Sequence, residues 1–421
     1  MAGGASEPVT RPETVRAQGA GQVLRIFVPF ALGYFLSYVF RTVNSVIAPD
    51  LVAAVGLTAS QLGLLSSAFF LAFAVAQLPL GMLLDRYGPR RVEALLLAVG
   101  SLGCLLFAIG DSLASLMLGR ALIGLGVSGC MMAAFKAFTL WFETRRLPLV
   151  NGALVGCGAT GALAATLPVA WLLRYTDWRA IFIGLALCCL LVAALLMVVP
   201  GHAQDARRIS LRDQLRGIGQ VFRNPLFQRT APLAMLAQGS FLSIQGLWAG
   251  PWLRDVAGLG PQAAASHLFV LGLALVAGFF GLGALAERLA RRGIRPVTVM
   301  GAGASVFALA QIGLLIPGMP GVAVILALFG VFGGSTIIAY AALATALPPS
   351  LAGRANTALN LFVFTGAFFT QWGMGVLIHI WEDPATATYA VAGYQAAFGS
   401  MILLQALALG WFWHGWLRRR F

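Results

Sequence analysis

The chain has little charge of either sign and almost no lysine. Only 10% of its 421 residues are charged, 14 of them are acidic, and Lys136 is the one lysine among 28 basic residues. Because soluble domains carry about 25% charged residues, an ordinary soluble surface is excluded. The chain has instead 59% hydrophobic residues and 50 glycines. This composition predicts an integral membrane protein, whose surroundings are the lipid bilayer.

Signals of catalysis, metal binding and secretion are also missing. All five cysteines fall inside apolar stretches and lack metal-ligand spacing, so neither a metal nor a cofactor is expected. A phosphate-binding loop and a nucleophile-and-base grouping are absent from the sequence, which argues against an enzyme. The N-terminus lacks the apolar centre of a secretory signal. Residues 1–23 are therefore expected to form a disordered cytoplasmic tail.

Long apolar windows dominate the rest of the chain. Windows of about 20 apolar residues, the length that spans a bilayer, recur about twelve times. They predict an all-α integral membrane fold with 12 transmembrane helices, in which residues 230–254 form the seventh. Residues 201–229 are the one long polar stretch and alternate apolar with charged residues at helical spacing, so they predict an amphipathic cytoplasmic linker. The expected halves are 24–200 and 230–417, followed by a basic tail, 418–421.

Arginine placement predicts the orientation of these helices. Twenty-two arginines fall in the segments that are cytoplasmic if the N-terminus is inside, and the outer loops hold only Arg174, Arg179 and Arg254. Cytoplasmic loops are enriched in this way, so both termini are expected in the cytoplasm of a bacterial cell, with the chain in its inner membrane. The formal charge of +14 follows from this topology and from attraction to anionic lipid. A nucleic-acid partner is therefore not expected.

A charged turn between two apolar windows carries a family resemblance. Residues 81–91 read Gly-Met-Leu-Leu-Asp-Arg-Tyr-Gly-Pro-Arg-Arg. This string resembles the signature that joins helices 2 and 3 in the major facilitator superfamily, and residues 283–288 resemble a degraded second copy. The resemblance implies a secondary active transporter and gives the two strings a role in gating. The residues expected to act there are Gly81, Asp85, Arg86, Gly88, Arg90, Arg91, Glu287 and Arg288.

An internal repeat supports the same resemblance. Asn151-Gly-Ala-Leu recurs at an offset of 205 residues as Asn356-Thr-Ala-Leu, and Thr160-Gly-Ala recurs as Thr365-Gly-Ala. The superfamily is built from two six-helix pseudo-repeats with the substrate site between them, and its members alternate access by rocking. The resemblance therefore implies two six-helix bundles in a monomer.

Three cations lie inside the predicted membrane helices. Arg41, Arg120 and Lys136 each cost a few kcal/mol to place there, so each is a candidate for function. All 14 acidic residues are expected in tails, loops or helix ends, which leaves these cations without an internal carboxylate partner. We therefore expect the cargo to be the partner, in the form of a small organic anion such as a carboxylate or a sulfonate.

Arg41 shares one face of the first helix with other polar side chains. Tyr34, Tyr38, Arg41 and Asn44 recur every three or four residues, and such a stripe faces a wet cavity. The stretch Arg41-Thr-Val-Asn44, with Ala48-Pro49 and Gly56-Leu57, resembles the anion:cation symporter branch of the superfamily. In that branch the arginine of helix 1 binds the carboxylate of the cargo. The alternative is that Arg41 snorkels to the outer membrane surface.

The other two cations each have a structural alternative. Arg120 resembles an arginine of helix 4 that faces the cavity in anion-transporting relatives, but it could instead bond to helix-end carbonyls. Lys136 lies about 160° around the same helix from Arg120. It is expected either to line the inner vestibule or to snorkel beside Glu143. In the second half, Gln245 and Trp248 on helix 7 and Asn360 on helix 11 are further candidates for substrate binding.

The energy source and the direction of transport stay open at this point. Proton-coupled members of the anion branch place an acidic residue before the helix 1 arginine and another beyond the helix 4 glycines; here those places hold Phe40 and Val127-Ser128. Uniport, anion exchange and coupling through a protonatable substrate are all left open by the sequence, and a coupling ion would be a proton or a sodium ion. The alternative function is export of a drug, siderophore or other metabolite. Helix 5 lacks the glycine-proline pattern of many drug antiporters, which favours the anion.

Overall fold

Helices build almost all of the described chain, which comprises residues 20–201, 211–383 and 388–417 of a computed structural model. In residues 20–201 the helices are α1 (Ala20–Thr42), α2 (Asn44–Val55), α3 (Ala59–Tyr87), α4 (Pro89–Ile109), α5 (Leu113–Val127), α6 (Cys130–Trp141), α7 (Leu147–Ala164), α8 (Leu167–Leu172) and α9 (Trp178–Val198). In the remainder they are α10 (Leu211–Phe222), α11 (Pro225–Ser243), α12 (Ala249–Asp255), α13 (Pro261–Ala290), α14 (Pro296–Gly313), α15 (Val322–Gly333), α16 (Ile338–Ala346), α17 (Pro349–His379) and α18 (Val391–Leu417).

The all-α prediction is confirmed apart from one short hairpin. Two-residue strands, β1 (Glu382–Asp383) and β2 (Thr388–Tyr389), pair in antiparallel register. Two short segments of other helix types join helices into longer spans: Ile244–Trp248 is a π-helical stretch between α11 and α12, and Ser335–Ile337 is a 3-10 turn between α15 and α16. Breaks of this kind in membrane helices lie where backbone is buried in protein or lines a cavity.

Eleven segments in the described residues are long and apolar enough to cross a membrane. The segment predicted as the seventh span is helical throughout, as α11, the π-helical stretch and α12. It is not one of the eleven, and it carries the polar residues Arg229, Gln238 and Gln245. The structure therefore confirms a polytopic helical membrane protein without fixing the helix count at twelve.

Local sequence signals explain where several helices begin. The Thr58 side chain accepts a hydrogen bond from the Gln61 backbone N–H, and the Gln61 side chain accepts one from the Thr58 N–H, which forms a capping box at the start of α3. Asn224 caps α11 by accepting from the next two free N–H groups, and Pro225 follows at the first helical position. The seventh span therefore starts five residues before the predicted residue 230.

The predicted tails and linker lie only partly within the described residues. Residues 1–19 and 418–421, and residues 202–210 of the linker, lie outside them, whereas α1 already begins at Ala20 because a helix can continue past its apolar window. The described part of the linker includes α10. Its Ile218 and Val221 are buried in a cluster with Phe227 of α11 and Leu359 of α17, as an amphipathic segment requires.

Corresponding helices make corresponding contacts in the two halves. In the first half α1 packs on α7, α3 on α5, and α4 on both α5 and α9. In the second half α11 packs on α17, α13 on α15, and α14 on both α15 and α18. The halves meet where α3 runs along α17 and where α13 packs on α7. This pairing is the one that two internal repeats predict.

Candidate functional site

A cavity of about 160 Å³ lies between the two halves. The first half contributes α1, α3, α5, α6 and α7, and the second contributes α11, α16, α17 and the 3-10 turn at 335–337. One wall is apolar and includes Met131, Met132 and Phe135 of α6. The polar and charged residues that line the cavity are Tyr34, Tyr38, Arg41, Ser128, Gln238, Thr336, Tyr340, Asn356 and Asn360.

Arg41 is the charged residue in this lining. Its guanidinium carbon lies 4.9 Å from the ring centre of Tyr38, 5.1 Å from that of Phe73 and 5.3 Å from that of Phe364. Its Nε is buried and has no hydrogen-bond partner among the described residues. The side chain therefore does not snorkel to the surface, and aromatic faces rather than a carboxylate surround its charge.

Tyr34 and Tyr38 stand beside Arg41 because a glycine of α7 leaves room for their rings. The two rings meet edge to face with centres 5.3 Å apart, and the Tyr34 hydroxyl donates to the Met131 sulfur at 3.5 Å. A Cβ added at Gly158 would lie 2.5 Å from a Tyr34 ring carbon and 3.1 Å from a Tyr38 ring carbon. The predicted stripe of Tyr34, Tyr38 and Arg41 thus reaches one cavity.

A chain of hydrogen bonds beside the cavity links the two halves. The Tyr340 hydroxyl donates to Asn360 Oδ1 at 2.5 Å, and Asn360 Nδ2 donates to Gln77 Oε1 at 3.3 Å. Gln77 Nε2 in turn donates to the Ser128 backbone oxygen at 3.2 Å. Asn360 was predicted at the site, and Gln77 was missed. Asn356, another lining residue, carries a buried Oδ1 without a partner in the described structure. Its place in the internal repeat was the sequence feature that could have indicated it as a site residue.

Three predicted binding residues, Asn44, Gln245 and Trp248, do not line the cavity. The Asn44 amide donates to the Ser66 hydroxyl at 2.8 Å, and the Trp248 indole N–H donates to the Gln371 backbone oxygen at 3.2 Å. Their placement corrects the prediction. Gln245 bonds across the contact between the halves, and the Trp248 ring lies near Gly63 of α3 in that contact, whereas the Asn44 bond stays within the first half.

Gln245 belongs to a set of close contacts that joins the end of α1 and the start of α2 to the π-helical stretch and α12. Its Nε2 donates to the Thr42 hydroxyl at 2.8 Å, and Gly246 packs against the Arg41 backbone oxygen. Gly250 packs against the backbone oxygen of Ser45 with no room for a Cβ. These contacts close the end of the molecule that holds Thr58 and Glu382. We call it the far end, and we call the end that holds residues 86–91 the basic end.

A larger pocket of about 610 Å³ opens at the far end, and a contact between halves lies at its edge. The Glu382 carboxylate accepts from the Ala59 backbone N–H at 3.1 Å and pairs with His379 at 2.6 Å. Burial raises the pKa of the Tyr389 phenol, and the carboxylates of Glu382 and Asp255 raise it further. The Tyr389 hydroxyl therefore stays protonated and neutral at physiological pH.

Arg120 lies outside the cavity lining. It is 2% exposed, and its two terminal nitrogens donate to the Phe40 backbone oxygen at 3.3 and 3.2 Å. Its guanidinium carbon stands 5.2 Å from the ring centre of Phe69. Phe40 precedes the break between α1 and α2, so Arg120 stabilises a helix end. The structure thus favours the structural alternative for this residue.

We expect Arg120→Ala to destabilise the protein while it leaves ligand binding in the cavity nearly unchanged. The variant leaves the buried Phe40 oxygen unpaired, which costs about 1–3 kcal/mol. The melting temperature of the ligand-free protein should fall, and the dissociation constant of a cavity ligand should change by less than about twofold, well under 1.4 kcal/mol. A loss of binding as large as that of an Arg41 variant would place Arg120 in the site after all.

Lys136 is paired with a residue that neither alternative named. Its ammonium group forms a salt bridge with Asp85 of the charged motif, and the two side chains are 25% and 38% exposed. Glu143 pairs with Arg145 instead. The contact between α3 and α6 is not visible in sequence, so Lys136 leaves the set of cavity cations and joins the charged cluster at the basic end.

The remaining motif residues also lie at the basic end. Gly81 and Arg86 occupy the last turns of α3, and Gly88, whose φ of 83° suits glycine, turns the chain into α4. Arg90 donates to the Val199 backbone oxygen at 2.5 Å. Arg91 is exposed.

The second copy of the motif lies on α13. Glu287 pairs with Arg291 one turn later, at 2.6 Å, and Arg288 is exposed. Neither copy touches the cavity, and a role in gating stays a prediction.

One acidic residue contradicts the expectation that all acids lie in tails, loops or helix ends. Glu93 is fully buried in the second turn of α4, and neither of its carboxylate oxygens has a hydrogen-bond partner in the described structure. Its position close to the charged motif made it resemble a helix-end residue in the sequence.

Comparisons with known proteins agree with the helical membrane fold. The sequence model of the Major Facilitator Superfamily matches residues 30–371. Over 154 residues the chain is 31% identical to a probable sulfoacetate transporter of Cupriavidus necator, which covers 37% of this chain and 36% of that protein. Over 295 residues it is 27% identical to a probable 4-methylmuconolactone transporter of Cupriavidus pinatubonensis, which covers 67% and 66%. The alignments span less than two thirds of either relative.

A solved structure matches the chain over a longer stretch. A bacterial homolog of the human lysosomal transporter Spinster, in an inward-facing and occupied conformation, superimposes with a TM-score of 0.75. The match covers 94% of this chain and 97% of that one, at 18% sequence identity. At this identity the likeness shows the fold alone.

Proposed function

This chain belongs to the major facilitator superfamily of transporters, and from that premise we propose that it moves a small organic anion across the bacterial inner membrane. The cargo binds at Arg41, in the cavity between the halves. The protein acts as a secondary transporter by alternating access, with both termini in the cytoplasm.

The observation that carries this proposal is the unneutralised charge of Arg41. A buried cation without a counter-ion is costly in a low-dielectric interior. Among the described residues no carboxylate pairs with it, and it lines an enclosed space. An anion that enters the cavity removes the cost and gains charge-assisted hydrogen bonds from the planar guanidinium.

The aromatic rings around Arg41 tie anion binding to both halves. Tyr38 and Phe73 belong to the first half and Phe364 to the second, and the ring centres of Phe73 and Phe364 are 4.0 Å apart. A cargo that rests on Arg41 therefore meets both bundles at once. Movement of one bundle against the other then changes its surroundings, which is what alternating access requires.

The dimensions of the cavity favour a small cargo with one acidic group at the Arg41 end. A volume of about 160 Å³ corresponds to about five liquid water molecules. Tyr340, Asn356 and Asn360 provide hydroxyl and amide groups for its polar substituents, and Met131 and Met132 provide an apolar wall. A compact carboxylate or sulfonate meets these constraints.

The cargoes named for the two relatives give the first compounds to test. We propose a thermal-shift screen of the purified protein against sulfoacetate, 4-methylmuconolactone and a panel of small carboxylates, sulfonates and phosphonates, with neutral amides and amines of equal size as controls. A ligand at 100 times its dissociation constant stabilises the folded state by about 2.7 kcal/mol. We expect anions to raise the melting temperature and their neutral and cationic counterparts to leave it unchanged. Stabilisation by the amides or amines alone would contradict the proposal.

A further inference from the structure

Glu93 is buried at a position where a glycine of a neighbouring helix leaves room for its side chain. A Cβ on Gly33 of α1 would collide with Glu93 Oε1, so the glycine provides the space that the carboxyl group occupies. The Cys130 thiol of α6 is the titratable group that faces it. The Cys130 thiol and the Glu93 carboxyl group do not form a hydrogen bond, because both carboxyl oxygens are without partners in the described structure.

The surroundings of Glu93 supply no positive charge. Among the described residues, α1, α3, α5 and α9 place no charged group against its carboxyl group. On its own helix Arg90 donates to Val199 and Arg91 is exposed, and on α6 Lys136 is paired with Asp85. An ionised carboxylate in such a site costs several kcal/mol, and a group so placed takes up a proton instead.

Glu93 also lies directly behind the wall of the cavity. The residues next to its two contacts, Tyr34 after Gly33 and Met131 after Cys130, both line the cavity and touch each other through the Tyr34 hydroxyl. A small displacement of α1 against α6 would therefore open the carboxyl group to the cavity. It is separate from Arg41, whose charge lies among aromatic rings.

We propose that Glu93 is a proton-binding site that couples anion transport to a proton gradient, an inference that rests on the transport function proposed above. In this conformation the carboxyl group carries one proton, taken from water on one side of the membrane. When the bundles rock and α1 shifts against α6 inside the first bundle, the group meets water on the other side and releases that proton to it. No other bond changes. Proton-coupled members of the anion branch that the sequence resembles place acids just before the helix 1 arginine and beyond the helix 4 glycines, and here those positions hold Phe40 and Val127-Ser128.

The proton on the Glu93 carboxyl group can be detected in the absence of a transported anion. In pH-difference infrared spectra of the purified protein in lipid vesicles, exposed glutamates, with a pKa of about 4.3, are ionised at pH 7. We expect the carbonyl stretch of a protonated carboxyl group to persist at pH 7 in the wild type and to be lost in Glu93→Gln. The matched control, Glu143→Gln, removes an exposed carboxylate and should keep the band. A wild type without the band, or a Glu93→Gln variant that retains it, would overturn the proposal.

Coupling is tested by accumulation of radiolabelled sulfoacetate in vesicles whose membrane potential is clamped at zero. With one proton per anion, a gradient of one pH unit sustains about tenfold accumulation. The wild type and Glu143→Gln should both reach this tenfold accumulation. Glu93→Gln, which imitates the protonated group, should retain exchange of internal for external sulfoacetate but show no accumulation. Gradient-driven accumulation by Glu93→Gln would refute coupling at this residue.

The two arms separate this inference from the function on which it rests. If the wild type does not transport sulfoacetate, the choice of sulfoacetate as cargo is wrong. The infrared spectra then test the proton site at Glu93 by themselves. If Glu93→Gln fails to fold, the wild-type spectrum still decides, because the band must be present at pH 7.

Discussion

Arg41→Ala is expected to weaken binding of the cargo anion by at least about 30-fold. Truncating one member of a buried, hydrogen-bonded charge pair costs about 2–5 kcal/mol, and each 1.4 kcal/mol is a factor of ten in the dissociation constant. The ligand-free protein should keep its melting temperature or gain a little, because the variant removes a buried charge that has no counter-ion among the described residues. Isothermal titration with the best anion of the screen measures the loss.

Two matched variants make the result specific. Arg41→Lys keeps the charge but loses the planar fork, so it should bind about tenfold more weakly than the wild type, a cost of about 1.4 kcal/mol. Arg145→Ala removes an arginine that is exposed and pairs with Glu143, and it should bind normally. An Arg41→Ala variant that binds the anion as tightly as its parent would end the assignment of the cavity to anions.

The membrane fold and part of the site follow from sequence alone because they depend on local patterns. Long apolar windows, basic loops and the internal repeat predict two bundles of membrane helices, and the comparisons confirm the family. The stripe of Tyr34, Tyr38 and Arg41 is read correctly because α1 is one continuous helix over those residues. Their shared face is therefore preserved in the structure.

The residues that were predicted at the cavity but lie elsewhere follow breaks in the helices or lie within them. Asn44 follows the break at Val43, where α1 gives way to α2, and its amide bonds to Ser66 of α3 instead of lining the cavity. Gln238 lines the cavity, whereas Gln245 and Trp248 lie in the π-helical stretch, where the rotation per residue differs from that of an α-helix. A periodicity of 3.6 residues predicts direction only within an unbroken α-helix.

Partners from distant parts of the chain could not be predicted at all. Lys136 meets Asp85 across 51 residues, and Asn360 meets Gln77 across 283. Glu93 becomes a buried carboxyl group only because α1 and α6 close over it. Which cations are neutralised, and hence which one is available to an anion, is decided by these tertiary contacts.

Gly250→Leu is expected to favour the form with the far end open and to slow transport. A Cβ at this position would collide with the Ser45 backbone oxygen and lie 2.9 Å from the Ser45 carbonyl carbon, and backbone has no rotamer by which to move aside. Overpacking of this kind costs about 1–3 kcal/mol, which shifts the balance between far-end-closed and far-end-open forms by roughly 5- to 150-fold. Transport slows because each cycle passes through the closed form.

Distances between spin labels can show the shift directly. Ala54→Cys and Ala263→Cys place labels on exposed far-end positions of the two halves, and double electron–electron resonance should report a longer separation in the Gly250→Leu background. Gly373→Leu is the matched control, since a Cβ there meets nothing within 4 Å; it should leave both the separation and the transport rate unchanged. If Gly250→Leu transported at the parental rate with an unchanged separation, the contact with Ser45 would not be part of the gate. The far-end closure would then have to be assigned to the contacts of Gly63 with Gly375 and of Glu382 with Ala59, which do not depend on Gly250.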